Sequence, residues 1–133
     1  MRYMLDTNVI SHLLKFPNGN VAERIARSNA GELGTSIIVA AELRYVCVRK
    51  STDRLTRLVN AVLGDLEVAA WDEPADRRYA ELRARLEAEG TPIGQNDMLI
   101  AAHAQAIGAT LVTDNGKEFS RVPGLKVENW VRQ

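Results

Sequence analysis

Apolar and polar positions fall in short blocks along the chain, and the blocks switch between the spacing of strands and that of helices. RYML (2 to 5) is a brief apolar run, followed at once by NVISHLLK with its apolar positions at helical spacing. The pair predicts a first strand and a first helix. Asn20 stands before VAERIARSNA as its expected cap, with Val21, Ala22, Ile25 and Ala26 on one stripe. GELGTS (31 to 36) then predicts a second, shorter strand. IIVAAELRYVCVRK is apolar almost throughout from Ile37 to Val48, and its length favours a buried helix.

TDRLTRLVNAVLG (52 to 64) has the stripe of an amphipathic helix and reaches Gly64 where a helix stop is expected. DLEVAAW predicts a strand. Asp72 is expected to cap a helix that carries Pro74 in its first turn and runs through EPADRRYAELRARLEAE to Gly90 and Pro92. Asn96 opens DMLIAAHAQAI, which Gly108 closes; ATLVT (109 to 113) is a fourth strand and LKVENW (125 to 130) a candidate fifth. Strands separated by helices imply βαβ units, hence an α/β fold with a parallel sheet covered on both faces.

Length and composition narrow the picture. A chain of 133 residues, 46% hydrophobic and 26% charged, is expected to form one soluble globular domain over 1–133. Its 17 basic and 17 acidic side chains cancel, so any nucleic-acid surface must be local. The lone Cys47 allows no internal disulfide and is expected in the core. MRYMLDTN shows no signal segment, and the longest apolar stretch, broken by His103 and Gln105, is too short for a membrane span. A cytoplasmic protein is the expectation.

Candidate chemistry is acidic. In an open parallel sheet, functional groups gather outside the carboxyl ends of the strands. Asp6 follows the first strand and Asp114 the fourth, although a turn or cap role would place an aspartate at either position as well. Glu42 has Ile38, Val39, Tyr45 and Val46 three and four positions away, so its carboxylate needs a cation, a proton or donors; an ion pair with Arg44 or Arg24 is the structural alternative. Asp97 lies in the first turn of a helix that is apolar nearly all round, where capping alone could account for it.

If these acids converge, two unit charges about 4 Å apart repel by about 4 kcal/mol at an effective dielectric near 20. Such a cluster calls for a cation, and oxygen donors without a histidine or cysteine set select Mg²⁺, with Mn²⁺ as a substitute. Metal-assisted phosphodiester cleavage follows. His12 and His103 match no zinc spacing, no nucleophile elbow is present, and DTN lacks the second aspartate of a phosphoaspartyl pair. Arg49, Lys50, Arg54 and Arg57 form the densest basic cluster, as a solvated face or as a track for an RNA backbone.

MLDTNVIS, the AAEL around Glu42, PIGQNDMLIAAHA around Asp97 and the closing LVTDNGKEFSRVPGLKVENW together resemble PIN-domain ribonucleases, specifically the VapC toxins of bacterial toxin–antitoxin pairs. They look most like VapC members that act on initiator tRNA. The resemblance implies a three-layer α/β/α fold with a five-stranded parallel sheet and a Mg²⁺-dependent endoribonuclease acting on RNA, with tRNA as the expected substrate. It also implies a homodimer and a VapB-type antitoxin, with operator DNA bound only through the antitoxin complex. Asp6, Glu42 and Asp97 match its acidic positions, Asp6 and Asp97 those assigned to metal. For the fourth acid, Asp114, Asn115 and Glu118 compete; Asp114 is chosen, with Glu118 in reserve. Thr7, Asn8 and Thr113 are then the hydrogen-bond partners that orient the carboxylates. The rival reading is the same fold without catalysis, as an RNA- or operator-DNA-binding partner in a regulatory complex.

Overall fold

In a computed structural model describing residues 1–132, five short strands form one all-parallel sheet. β1 (Tyr3–Leu5), β2 (Leu33–Ser36), β3 (Glu67–Ala69), β4 (Thr110–Val112) and β5 (Val127–Glu128) lie in the order β3-β2-β1-β4-β5. The chain builds outward from β1 to β3, then returns to place β4 on the other side of β1, in register Tyr3 to Thr110 and Leu5 to Val112. Strand order therefore reverses between β1 and β4. A crevice opens at such a reversal, outside the carboxyl ends of the two strands.

Seven helices cover the sheet: α1 (Thr7–Lys15), α2 (Asn20–Ala26), α3 (Ile37–Lys50), α4 (Asp53–Asp65), α5 (Ala75–Ala88), α6 (Gln95–Ile107) and α7 (Gly116–Phe119). Right-handed crossovers put α1 to α4 on one face and α5 with α6 on the other, which gives three layers. Met4, Leu5, Leu111 and Val112 are fully buried between them, as expected of central parallel strands without an exposed face. α6 is the most deeply inserted helix, burying Met98, Ile100, Ala101, Ala102, His103 and Ala104. Its end at Gly108 adopts a left-handed φ of 71°, which glycine alone tolerates freely.

The buried His103 meets Ser36 Oγ through Nδ1 at 2.7 Å, and burial holds its imidazole below the usual pKa. Ser36 Oγ also caps α3 by accepting from Ile38 N at 3.0 Å. Beyond β5, Trp130 packs edge-on to Tyr3 at 5.1 Å, with the Arg24 guanidinium 4.6 Å over its ring. Among the described residues, no helix is long and apolar enough to cross a membrane.

Several boundaries differ from expectation for identifiable reasons. Gly19 is the cap of α2; Asn20 lies in its first turn and donates instead to Val131 O at 2.9 Å. α4 runs one residue past Gly64. Pro74 precedes α5, and Asp72 contributes its backbone carbonyl to Ala75 N at 2.8 Å rather than a side-chain cap. α3 buries only Val39, Ala40, Leu43 and Cys47; Ile37, Tyr45 and Val48 are 44%, 63% and 77% exposed. A helix in an outer layer meets the sheet along one side, so an apolar run of this length leaves part of itself outside.

Candidate active site

The crevice is built from residues that four separate segments deliver. Asp6 ends β1 and begins α1, and its own amide is tied to Val112 O on β4 at 2.9 Å. At 4% exposure it is nearly buried. Thr7 N donates to Asp6 Oδ1 at 2.8 Å, and Thr113 Oγ1 to Asp6 Oδ2 at 2.8 Å. Thr113 Oγ1 also accepts from Asn115 N at 3.0 Å and Asn8 Nδ2 at 3.3 Å. The aspartate is thus held in one orientation by groups that have no freedom of their own. Burial pushes its pKa above the ordinary value against the pull of these donors, and the charges of Glu42 and Glu118 push the same way.

Glu42 projects from the second turn of α3, half-buried. Thr7 Oγ1 donates to its Oε1, and Asn96 Nδ2 to its Oε2 at 3.3 Å. The arginines that might have paired with it are engaged elsewhere: Arg44 donates to Asn60 at 2.8 Å, and Arg24 bonds Ser28 and caps the Trp130 ring. Among the described residues Glu42 therefore has donors but no ion pair.

Asp97 sits in the first turn of α6, on the opposite wall. Its pKa is raised to about 8, first by burial, then by a hydrogen bond shared with Glu118 and by the charges of Glu118, Asp6 and Glu42. Glu118 moves the opposite way, held low by that same bond and by Gly94 N, which donates to its Oε1 at 2.8 Å. Asn115 Nδ2 holds Oε2 at 2.7 Å. The two carboxyls therefore influence one another directly, and bringing them together works against ionising both.

Asp114, expected as the fourth acid, points elsewhere. Its Oδ1 accepts from Asn129 Nδ2 at 3.0 Å and Arg132 Nε at 2.9 Å, and these contacts hold its pKa low. Only its backbone serves the crevice, through Asp114 N to Asn8 Oδ1 at 3.0 Å. Glu118, held in reserve, is the acid that faces Asp97 and Asp6. In the turn after β4, Thr113 points to Asp6 while the Asp114 side chain is drawn to Asn129 and Arg132. The short α7 then swings Glu118 back. Thr7, Asn8 and Thr113 stand where expected, each hydrogen-bonded to an acid or to another residue that orients one.

The cluster suits a hard divalent cation. Its donors are all oxygen, and without a cation its charges are accommodated by a buried, raised carboxyl and a retained proton. Among the described residues no three acidic, histidine or cysteine side chains close tightly enough to encage an ion by themselves.

An α/β/α sandwich with carboxylates at the reversal between β1 and β4 defines a class, and the PIN-domain family matches residues 3–125. Ribonuclease VapC2 of Rickettsia felis is 42% identical, covering 98% of both chains. The tRNA(fMet)-specific endonuclease VapC of Salmonella typhimurium is 34% identical, again over 98% of each. Among solved structures, DNA-bound VapBC from Salmonella typhimurium superposes with a TM-score of 0.91 at 33% identity, covering 98% of both chains. VapBC2 of Rickettsia felis bound to a promoter DNA fragment gives 0.90 at 38%, covering 98% of this chain and 99% of that one. The chain belongs to the PIN-domain family, within its VapC ribonuclease branch.

Proposed function

We propose that this protein is a Mg²⁺-dependent endoribonuclease toxin, with Mn²⁺ as a substitute metal, that hydrolyses phosphodiester bonds of tRNA. The observation that carries the reading is the convergence of Asp6, Glu42, Asp97 and Glu118 at the reversal between β1 and β4, with Asp6 buried and held by Thr7 N and Thr113, Glu42 by Thr7 and Asn96, and Glu118 by Gly94 N and Asn115. Asp6 and Asp97 are the residues to hold the metal, which when bound polarises the phosphodiester and lowers the pKa of water. Glu42, kept in place by Thr7 and Asn96, is oriented to accept the proton of attacking water. Glu118 takes the fourth acidic place, and Asp114 serves by tying the β4 loop to the C-terminal segment.

The tRNA substrate is supported by the name of the Salmonella relative, and a VapB-type antitoxin by the VapBC complexes among the solved neighbours. Operator DNA is reached only through that antitoxin complex. A groove of about 690 Å³ starts at Thr7 and runs between α1, α3 and α4, with Leu14, Leu43, Val46 and Leu58 inside and Lys50 and Arg54 at its rim. It suits an apolar antitoxin segment flanked by acids. The protein acts in the cytoplasm as a homodimer, to which the exposed Ile37 and Val48, on one line of α3, offer an apolar contact.

Purified chain freed of antitoxin should cut tRNA with Mg²⁺ and stop with EDTA. Asp6→Asn and Asp97→Asn should abolish cutting, and Glu118→Gln should lower it by at least about tenfold, whereas Asp114→Asn should retain it within a fewfold. Metal-independent RNA binding without cutting, equal in wild type and Asp6→Asn, would instead establish the non-catalytic alternative.

A further inference from the structure

The four carboxylates of the crevice repel the phosphates they are to cut, and the chain as a whole has no net charge to offset them. RNA therefore needs a local cation beside the acids, and a means of holding a base that does not depend on charge. One helix supplies both. Seven residues is close to two turns, so Glu42 and Arg49 stand nearly in line on α3, about 10 Å apart along its axis, with Tyr45 between them. Tyr45 is 63% exposed, the most open of the aromatic rings. Tyr3, Phe119 and Trp130 are buried; Trp71 is fixed by its Nε1 donating to Leu99 O and by Tyr79 edge-on. Phe16 is open but lies against His12 beyond α1. The Arg49 guanidinium lies 5.6 Å from the centre of the Tyr45 ring and, among the described residues, forms no ion pair.

We propose that Tyr45 and Arg49 form a single-stranded RNA subsite leading out of the crevice along α3: the Tyr45 ring stacks on a base flanking the scissile phosphodiester, and Arg49 holds an adjacent phosphate. This deepens the endoribonuclease reading and rests on it. Arg49 fits both duties because its planar cation already lies against the ring without an acid to release. Every base has a π-face, so the subsite contributes affinity and placement while tolerating changes of sequence.

The test is fluorescence anisotropy of a short fluorescein-labelled single-stranded RNA in EDTA, where binding is read without cutting. Tyr45→Ala should weaken binding at least about fivefold and Tyr45→Phe should restore it, because stacking needs the ring and not the hydroxyl. Arg49→Ala should reduce the slope of log K against log salt by about 0.7, the share of one phosphate contact on a single strand. Both variants should sediment like wild type. Unchanged RNA affinity in Tyr45→Ala would overturn the subsite. So would a loss confined to self-association, which would assign the ring to a second copy, or one confined to antitoxin affinity. If wild type fails to cut tRNA with Mg²⁺ while the binding losses stand, the nuclease reading fails and the subsite survives.

Discussion

Asp97 and Glu118 show how one residue's environment decides its role. Both are carboxylic acids, yet burial beside like charges raises Asp97 to about 8 while hydrogen bonds from Asp97, Gly94 N and Asn115 hold Glu118 down. Unfolded, Asp97 titrates near 3.8, so between these values the native state binds more protons than the unfolded one. The stabilising contribution of this group is complete below the unfolded pKa, declines as pH rises and is gone above about 8. His103 acts in the opposite sense: its lowered pKa removes stability as pH falls below about 6.5. Metal-free protein should therefore lose Tm between about pH 7.5 and 8.5, where His103 is neutral in almost all native and unfolded molecules and contributes little slope. Asp97→Asn should flatten that decline and melt above wild type at the alkaline end, as read by scanning calorimetry. Three of the acids were legible in the sequence because each follows a strand or lies on a marked helix. The fourth was obscured by a turn: the distance from Thr113 to Glu118 along the chain says little until α7 bends it back.

At the scale of elements, α3 and α6 do most to shape the crevice, and they were legible to different degrees. α6 is apolar nearly all round and is buried as that pattern requires. α3 has a similar apolar run, yet its outer line is open, since hydrophobicity alone does not say how many neighbours a helix will have. The two are joined by Ser36 and His103, a polar link that no periodicity reveals. Ser36 is also the cap of α3, and the loss of such a cap costs about 1 kcal/mol. Ser36→Ala should cost more, about 2 to 3 kcal/mol in denaturant unfolding, because it also leaves the buried Nδ1 of His103 without its partner. The helix starts misplaced by a residue or more share a cause: Gly19 and Pro74 occupy cap positions by backbone geometry, with no side chain to advertise them.

The whole molecule is a frame for holding incompatible charges together. Helices on two faces and a reversed strand order bring residues 6, 42, 97 and 118 to one edge of the sheet, where repulsion is opposed by packing throughout the domain. A cation bound to the native state alone should return that energy as stability. Mg²⁺ at about a hundred times its Kd should add about 2.7 kcal/mol, raise Tm by several degrees, and lose the effect with EDTA or in a combined Asp6→Asn, Asp97→Asn variant. A Tm indifferent to Mg²⁺ in wild type would remove the metal from the scheme.

The return of β4 to the flank of β1 also sets a schedule for synthesis. The ribosome releases Asp6 and Glu42 early, but Asn96, which holds Glu42, Thr113, which holds Asp6, and the acids Asp97 and Glu118 emerge only in the last third of the chain. A truncated or stalled nascent chain lacks Asp97 and Glu118, half of the acids at this edge, so the edge is assembled only when translation is nearly finished.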